Sequence, residues 1–402
     1  MSEEPPIIVV GAGPCGSFTA LTIAREHVPV LVLEEHEEIG VPSHCAGHVG
    51  IKGLSRIGLD IPTNLIQNRI RGARFYSPLC HELVLDHGSP VTYVLDRPKF
   101  DIWIAEQATQ CGATYHLRSR VRSLALEREQ TKLVVDSNDM RELSCNLVID
   151  AEGYPAALLR SASLERTQSS KIVNGVSAEV ENLTNVEDEL VELYFGKEYA
   201  PGFFAWIIPK GDGSAKVGLG AKGRDPISLL HKFISQHPVA QKKLRNSRIL
   251  NVTAHPIPLG GPSSKTYTNG LLEVGDAASQ VKPTTGGGIV TGMLCSQIAG
   301  QVATQAWKRS NYTAEFLSRY QFQWRKRIWK EFRVMTRIRT YLDRLSDGQM
   351  NNLFELAVKT KIMNDLRDLD DIDFQGSSLL GLAKQPRTIV NLMRFLWQAL
   401  NQ

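Results

Sequence analysis

The chain has 402 residues, long enough for two or three domains, and its 46 lysines and arginines nearly balance 42 aspartates and glutamates. No recognised nucleic-acid-binding module accompanies the basic residues, which excludes nucleic acid as a partner. The six cysteines are scattered without a Cys-x-x-Cys pair, so neither a metal site, an iron–sulfur cluster nor a disulfide framework is indicated.

The scattered cysteines favour the reducing cytoplasm, and the N-terminus and the hydropathy of the chain agree with that location. Glu3 and Glu4 precede the first apolar run, so we expect no signal peptide. No stretch reaches the roughly 18 consecutive apolar residues of a membrane span. We therefore expect a protein that is soluble or attached peripherally at the inner face of the membrane.

The first predicted elements are a β-strand, a glycine-rich turn and a helix. The strand is Ile7-Ile8-Val9-Val10, and apolar periodicity predicts a helix from Ser17 to Glu26. Between them, the spacing Gly-x-Gly-x-x-Gly is formed by Gly11, Gly13 and Gly16. In a dinucleotide-binding unit, such glycines permit close backbone approach to the pyrophosphate at the helix N-terminus.

A second strand supports the same interpretation. It runs from Val28 to Leu33 and ends at Glu34. Glu34 lies at roughly the 20-residue separation at which an acid accepts hydrogen bonds from a ribose. We therefore predict dinucleotide binding here, the alternative being a glycine-rich turn that serves packing alone. Further along, Arg97 and Asp101 begin a helix that runs to about Gln110, and we predict that Arg97 faces the cofactor and that Asp101 is structural.

The middle of the chain predicts a separate antiparallel sheet. Its strands are expected at residues 177–180, 190–195, 203–208 and 215–220, with a helix at 227–236.

A last cofactor motif follows this sheet. The short strand Leu271–Val274 leads into Asp276, which is placed to hydrogen-bond the ribityl chain of a flavin and so favours FAD over NAD. Its alternative role is that of an N-cap carboxylate. Gly287 and Gly288 then precede a helix at 289–303, whose N-terminal amides could stabilise negative charge on a reduced flavin ring.

These elements predict an α/β fold: a Rossmann-type FAD-binding domain with an inserted antiparallel-sheet substrate domain and C-terminal helices. We expect the FAD-binding domain at residues 1–160, with a small insert at about 54–90, and at 254–308. The substrate domain is expected at 161–253 and the C-terminal helical region at 309–402.

The C-terminal region contains a basic amphipathic helix. Between Lys308 and Arg344 there are eleven basic residues and three acidic ones. Apolar residues recur there at steps of three and four, from Trp324 to Leu345. Such a helix could contact an anionic membrane surface or receive an acidic electron carrier, the alternative being a helix packed on the body with a solvated basic face.

The order of motifs resembles the geranylgeranyl reductase family of FAD enzymes, within the para-hydroxybenzoate-hydroxylase-like superfamily. His44-Cys45-Ala46-Gly47 matches the family's Cys-x-Gly element, and the resemblance implies that Cys45 and Ala46 lie beside the flavin. Residues 201–209 match its PxxYxWxFP signature, with Phe204 for the Tyr and Ile208 for the Phe, while Trp206 is kept. The resemblance implies that Phe204, Trp206 and Ile208 line an apolar pocket for an isoprenoid lipid.

The resemblance implies reduction of carbon–carbon double bonds in geranylgeranyl chains. A reduced flavin supplies a hydride, and either Cys45 or an ordered water supplies the proton. The electron donor would be external: reduced nicotinamide, a deazaflavin or ferredoxin. Simpler roles are a small buried hydrophobe for Cys45 and core packing for Trp206.

The sequence is also compatible with two other functions. One is an FAD-dependent monooxygenase or halogenase, because Phe204-Ala205-Trp206-Ile207-Ile208-Pro209 also approaches the halogenase WxWxIP signature. The other is a non-catalytic flavin-binding protein attached to the membrane through its C-terminal helix.

Overall fold

The computed structural model describes residues 4–127, 130–137, 141–160, 164, 167–367 and 371–376. Within the predicted C-terminal helical region, residues 377–402 therefore lie outside the described part of the chain.

In chain order the strands are β1 Ile7–Val10, β2 Val30–Leu33, β3 His48–Gly50, β4 Ile66–Ile70, β5 Gly72–Tyr76, β6 Glu82–Asp86, β7 Thr92–Leu95, β8 Thr114–His116, β9 Arg120–Leu126, β10 Thr131–Asp136, β11 Glu142–Cys145, β12 Val148–Asp150, β13 Ile172–Glu181, β14 Leu190–Tyr194, β15 Ala205–Pro209, β16 Ala215–Ala221, β17 Arg248–Pro258, β18 Tyr267–Thr268 and β19 Leu271–Glu273.

The helices are α1 Pro14–Ala24, α2 Ile51–Arg56, α3 Arg97–Gln110, α4 Pro226–Gln236, α5 Ala240–Leu244, α6 Ile289–Lys308, α7 Ala314–Leu342, α8 Asp347–Thr360 and α9 Ile362–Leu366.

The chain divides into two compact units, each assembled from three segments. The first comprises Met1–Ser43, Arg97–Lys171 and Pro258–Phe332. The second comprises His44–Asp96, Ile172–Ile257 and Arg333–Gln402.

The first unit is built on a six-stranded sheet with the order β18-β19-β12-β1-β2-β8. Apart from the antiparallel edge pair β18–β19, its neighbours are parallel. Because β1 lies between β2 and β12, the chain leaves β1 toward one side of the sheet and later returns on the other. Parallel α/β sheets bind ligands at the carboxyl ends of the strands beside such a switch point. The predicted α/β fold is confirmed.

Helices α1 and α6 pack closely in this unit because Gly292 and Gly300 of α6 lie directly against residues of α1. A Cβ on Gly300 would lie 2.7 Å from Cβ of Thr22 in α1, and one on Gly292 would lie 2.6 Å from Sγ of Cys15. Larger side chains would force the helices apart.

The second unit contains a seven-stranded sheet with the order β17-β13-β16-β15-β14-β5-β6 and a three-stranded antiparallel sheet, β3-β7-β4. The pairs β13–β16, β15–β16 and β14–β15 are antiparallel, as expected for the substrate domain, whereas β14–β5 is parallel. Strand β17, with 11 residues, was not predicted.

Alternation along β15 divides its side chains between the two faces of the seven-stranded sheet. Ala205 and Ile207 belong to an apolar cluster with residues of α4 and α5, including Leu230 and Phe233. Trp206 and Ile208 belong to a different cluster. One face therefore holds the core beneath two helices, and the other presents the predicted substrate residues.

Helix α7 confirms the predicted amphipathic pattern, although it begins ten residues before Trp324. Trp324, Ile328, Phe332 and Met335 are buried at steps of four, four and three. None of the helices in the described ranges is both long enough and apolar enough to cross a membrane.

Candidate functional site

The glycine turn after β1 packs so closely against backbone atoms that two of its three glycines have no room for a side chain. Gly11 has φ +98°, and a Cβ there would lie 2.5 Å from the carbonyl oxygen of Ala151, just beyond β12. A Cβ on Gly16 would overlap the carbonyl oxygen of Gly11. Gly11 and Gly16 are therefore required for the turn itself.

Gly13 differs from its two neighbours. It is the N-cap residue of α1, with φ −66°, and a Cβ there would meet no atom of the protein within 4 Å. No side chain caps α1, and its first turn carries no acid. The amides at this helix end thus retain their capacity to bind an anion, and Gly13 leaves space beside them.

Glu34 lies directly after β2, at the same edge of the sheet. One of its carboxylate oxygens accepts a hydrogen bond from the amide of Ala12 at 2.7 Å. The other accepts one from the amide of His36 at 3.0 Å and lies 2.6 Å from Nδ1 of the same residue. Glu34 therefore braces the glycine turn with a carboxylate held in one orientation.

Arg97 and Asp101 form a buried pair in the first turns of α3. Nε and one terminal nitrogen of Arg97 donate to the two carboxylate oxygens of Asp101, at 3.1 Å and 3.0 Å. Asp101 thus has the predicted structural role of orienting the guanidinium. Burial raises the pKa of Asp276 to about 6, and the charge of Arg97 opposes that rise.

Gly287 and Gly288 lead into α6, whose N-terminus is also uncapped by any side chain and free of acids in its first turn. A Cβ on Gly288 would lie 2.9 Å from a carboxylate oxygen of Asp276, so this acid lies beside the helix end. A Cβ on Gly287 would lie 3.1 Å from Nζ of Lys282. Sequence reasoning missed Lys282, a buried cation whose only signal was a charge inside the run Gln280-Val281-Lys282-Pro283.

In the second unit, Cys45 and Ala46 precede β3. Cys45 is a free, exposed thiol, so it is not the small buried hydrophobe of the simpler interpretation. The amide of Gly47 donates to its Sγ at 3.4 Å.

The structure brings Ala46 together with two of the predicted substrate residues. Ala46 and Trp206 pack on an apolar cluster that contains Ile208, with Ile70 and Val94 from the three-stranded sheet. The Nε1 of Trp206 is buried and has no hydrogen-bond partner in the described parts of the chain. Phe204 is buried next to this cluster, with its ring edge-on to that of Trp206 at 6.1 Å between centroids.

Sequence reasoning also missed His255, on β17. Its ring stacks on that of His44, the residue before Cys45, with centroids 4.9 Å apart. Burial lowers the pKa of His255, which favours its neutral imidazole. No periodicity or motif near residue 255 predicted this pairing.

A buried pair of carboxyl groups lies in the first unit, at the adjacent ends of β12 and β19. Asp150 and Glu273 are partners in the parallel register, and both are fully buried. Neither carboxyl oxygen of Glu273 has a hydrogen-bond partner among the residues that the structure describes. Burial, with a contribution from the charge of Asp150, raises the pKa of Glu273 to about 9.

Replacing Glu273 with glutamine is expected to stabilise the protein in neutral and alkaline solution. Because the folded-state pKa lies above the unfolded value, the folded state holds an additional proton, and stability falls as pH rises through this window. Glu273→Gln removes the titration, so we expect a gain of about 1–3 kcal/mol at about pH 8 and little gain at about pH 4. Urea unfolding at both pH values measures it. Exposed Glu106→Gln is the control, and an equal gain at both pH values would contradict the assignment.

Three comparisons relate the chain to known proteins. A family model described as the geranylgeranyl reductase catalytic domain matches residues 172–255. The digeranylgeranylglycerophospholipid reductase 2 of Methanothermobacter thermautotrophicus is 33% identical over 398 residues, which cover 97% of this chain and 98% of that protein.

Solved structures share the fold. A geranylgeranyl bacteriochlorophyll reductase-like protein from Thermoplasma acidophilum has a TM-score of 0.84 at 24% identity, over 97% of this chain and 98% of its own. The halogenase PltM in complex with phloroglucinol and FAD has a TM-score of 0.72 at 14% identity, over 97% of this chain and 92% of its own.

Proposed function

This chain belongs to the geranylgeranyl reductase family, and we propose that its substrate is a glycerophospholipid precursor that carries geranylgeranyl chains. It is an FAD-dependent oxidoreductase that reduces the carbon–carbon double bonds of geranylgeranyl chains. The single observation that best supports the substrate assignment is the apolar cluster where Ala46, next to Cys45, packs with Trp206 and Ile208. The halogenase likeness, at 14% identity, extends to the fold alone.

The residues of the first unit fit FAD. Two helix N-termini without side-chain caps suit a cofactor that carries a pyrophosphate and gains negative charge on reduction. We propose that Gly11, Gly13 and Gly16 admit the pyrophosphate, that Glu34 accepts the ribose hydroxyls, and that Asp276 hydrogen-bonds the ribityl chain. Arg97, Gly287 and Gly288 would complete the part of this site that the first unit supplies.

The bound flavin, when reduced, supplies the hydride. The chain's own part of the reaction is to confine the alkene and provide a proton. We propose that Phe204, Trp206 and Ile208 hold the isoprenoid chain and exclude water from it. The thiol of Cys45 gives the proton, and the amide of Gly47 faces the sulfur that is left negatively charged.

We also propose which segments of the chain bind FAD and which bind the substrate. We propose that the FAD-binding domain comprises residues 1–160, with a small insert at about 54–90, and residues 254–308. The substrate domain would comprise residues 161–253, and the C-terminal helical region residues 309–402. Electrons would come from an external donor, either reduced nicotinamide, a deazaflavin or ferredoxin, because the sequence contains no second dinucleotide fingerprint.

An anaerobic assay tests the function. The purified yellow protein is reduced with dithionite and given a glycerophospholipid with geranylgeranyl chains, and the product mass is followed. A gain of one H2 for each double bond supports the proposal. No gain, combined with substrate-stimulated oxygen consumption in air, would instead support a monooxygenase or halogenase.

We also propose that α7 contacts an anionic membrane surface. Its exposed stripe, Arg319, Phe322, Lys326 and Lys330, recurs at steps of three and four, and Phe322 is 70% exposed among these cations. Basic residues attract anionic headgroups while an aromatic ring enters the interface, and the substrate resides in such a surface.

The stripe predicts a loss of vesicle binding in Lys326→Gln/Lys330→Gln. Each lysine near an anionic surface contributes about 1 kcal/mol, so we expect binding to phosphatidylglycerol vesicles to weaken about thirtyfold at low salt. Vesicle flotation measures it, with Lys242→Gln/Lys359→Gln as a control of equal charge on exposed lysines. Equal binding by both variants would indicate a helix whose basic face is simply solvated.

A further inference from the structure

We propose that Arg339 and Lys222 form a subsite for the phosphate ester of the lipid substrate. The subsite lies at one end of an aromatic wall in the second unit, which is formed by Phe203, Phe204 and Trp206. This inference rests on the proposed function, because it assigns the headgroup end of the same substrate.

Arg339 is a buried cation with an unused donor. It lies in the last turn of α7, and its side chain is only 9% exposed. One terminal nitrogen donates to a carboxylate oxygen of Asp343, one helical turn on. Its Nε has no hydrogen-bond partner in the described part of the chain. Buried donors are normally satisfied, so an unused Nε on a charged group suggests that a ligand supplies the missing acceptor.

Lys222 brings a second cation to the same carboxylate. Its Nζ donates to the other oxygen of Asp343 at 3.0 Å. Its stem crosses Gly202, where a Cβ would lie 2.8 Å from Cδ of Lys222. Two cations therefore share one carboxylate, which leaves an excess of one positive charge. A phosphate ester has the charge and the oxygens to use it, and guanidinium groups bind such oxygens with directed hydrogen bonds.

The cations lie where the aromatic wall begins. The guanidinium of Arg339 is 5.7 Å above the ring of Phe203. Phe203 stacks on Phe204 with 4.1 Å between centroids, and Phe204 meets Trp206 edge-on. A charged group and an apolar wall are thus continuous along residues 203–206. This continuity matches an amphiphile whose phosphate binds at Arg339 and whose chain extends toward Trp206.

The competing explanation is mechanical. Arg339 could brace Phe203 by its cation–π contact and α7 by its pair with Asp343, without touching substrate. A bracing role would affect every substrate that uses the wall. A phosphate-binding role would affect only substrates that carry the phosphate.

The experiment compares Arg339→Gln with the parent on two lipids in detergent micelles: digeranylgeranylglyceryl phosphate and neutral digeranylgeranylglycerol. We expect the KM for the phosphorylated lipid to rise about tenfold or more, with kcat kept and both constants for the neutral lipid unchanged. Arg245→Gln, which removes an exposed arginine of the same unit, is the matched control. FAD content and melting temperature establish that each variant is folded.

Equal losses on the two lipids would overturn the proposal in favour of bracing, and unchanged constants on both would overturn it outright. Inorganic phosphate added to the parent distinguishes the source of the anion. Competition only at concentrations far above the KM of the lipid supports a headgroup site, whereas binding as tight as that of the lipid would overturn it. If the parent saturates neither lipid, the proposed function fails. The subsite is then tested by equilibrium binding of the two lipids to the oxidised protein, because Arg339→Gln should weaken binding of the phosphorylated lipid and not of the neutral one.

Discussion

Replacing Cys45 with alanine is expected to slow saturation of geranylgeranyl chains by about 10²–10⁴-fold while FAD remains bound. An unactivated alkene cannot hold the charge that develops when a hydride arrives, so a proton must reach the second carbon. The thiol of Cys45 is exposed, is next to Ala46 and so to the cluster of Trp206 and Ile208, and has the amide of Gly47 facing its sulfur. Alanine removes the proton and little else.

Single-turnover reduction of the lipid by the dithionite-reduced variant measures this loss, with FAD content read from the visible spectrum. Cys111→Ala is the matched control, because it removes a free, partly buried thiol that follows α3 in the other unit. Should Cys45→Ala saturate the chain as fast as the parent, an ordered water would be the proton donor and Cys45 would have no part in proton transfer.

Replacing Gly16 with alanine is expected to abolish FAD binding and to destabilise the first unit. The new Cβ would overlap the carbonyl oxygen of Gly11, which is backbone and cannot rotate away, so α1 would have to move off β1. Overpacking of this kind costs about 1–3 kcal/mol or more. The variant should therefore purify colourless and melt below the parent.

Gly13→Ala separates the requirements of the fold from those of the cofactor. Its Cβ would meet no protein atom, and its φ of −66° is open to alanine, so the protein without cofactor should melt like the parent. We expect FAD affinity to fall nonetheless, because that space adjoins the α1 amides that we assign to the pyrophosphate. Gly348→Ala, in the exposed first turn of α8, controls for a glycine replacement elsewhere. Full FAD retention by Gly13→Ala would remove Gly13 from the assigned site.

Much of the first unit was predictable because its signals are local. The run of β-branched residues at β1, the glycine spacing and the acid after β2 lie within about thirty residues, and each depends on backbone geometry that neighbouring residues dictate. Helix α1 begins three residues before its predicted start and ends two residues before its predicted end, whereas α6 begins at the predicted residue 289 and ends five residues later than predicted. Strand β17 was missed because its exposed and partly buried residues do not alternate clearly.

The sequence by itself determined the elements around the glycine turn, the buried face of α7 and the residue types that we propose for a flavin site, since these follow from periodicity and local conformation. Only the tertiary structure decided which distant residues meet: Ala46 with Trp206, His44 with His255, Glu273 with Asp150, and Arg339 with Phe203. The physical reason is that an apolar pattern records that a side chain will be covered but not which side chain covers it. Likewise, the raised pKa of Glu273 and the unused donor of Arg339 arise from burial, which is a property of the assembled core.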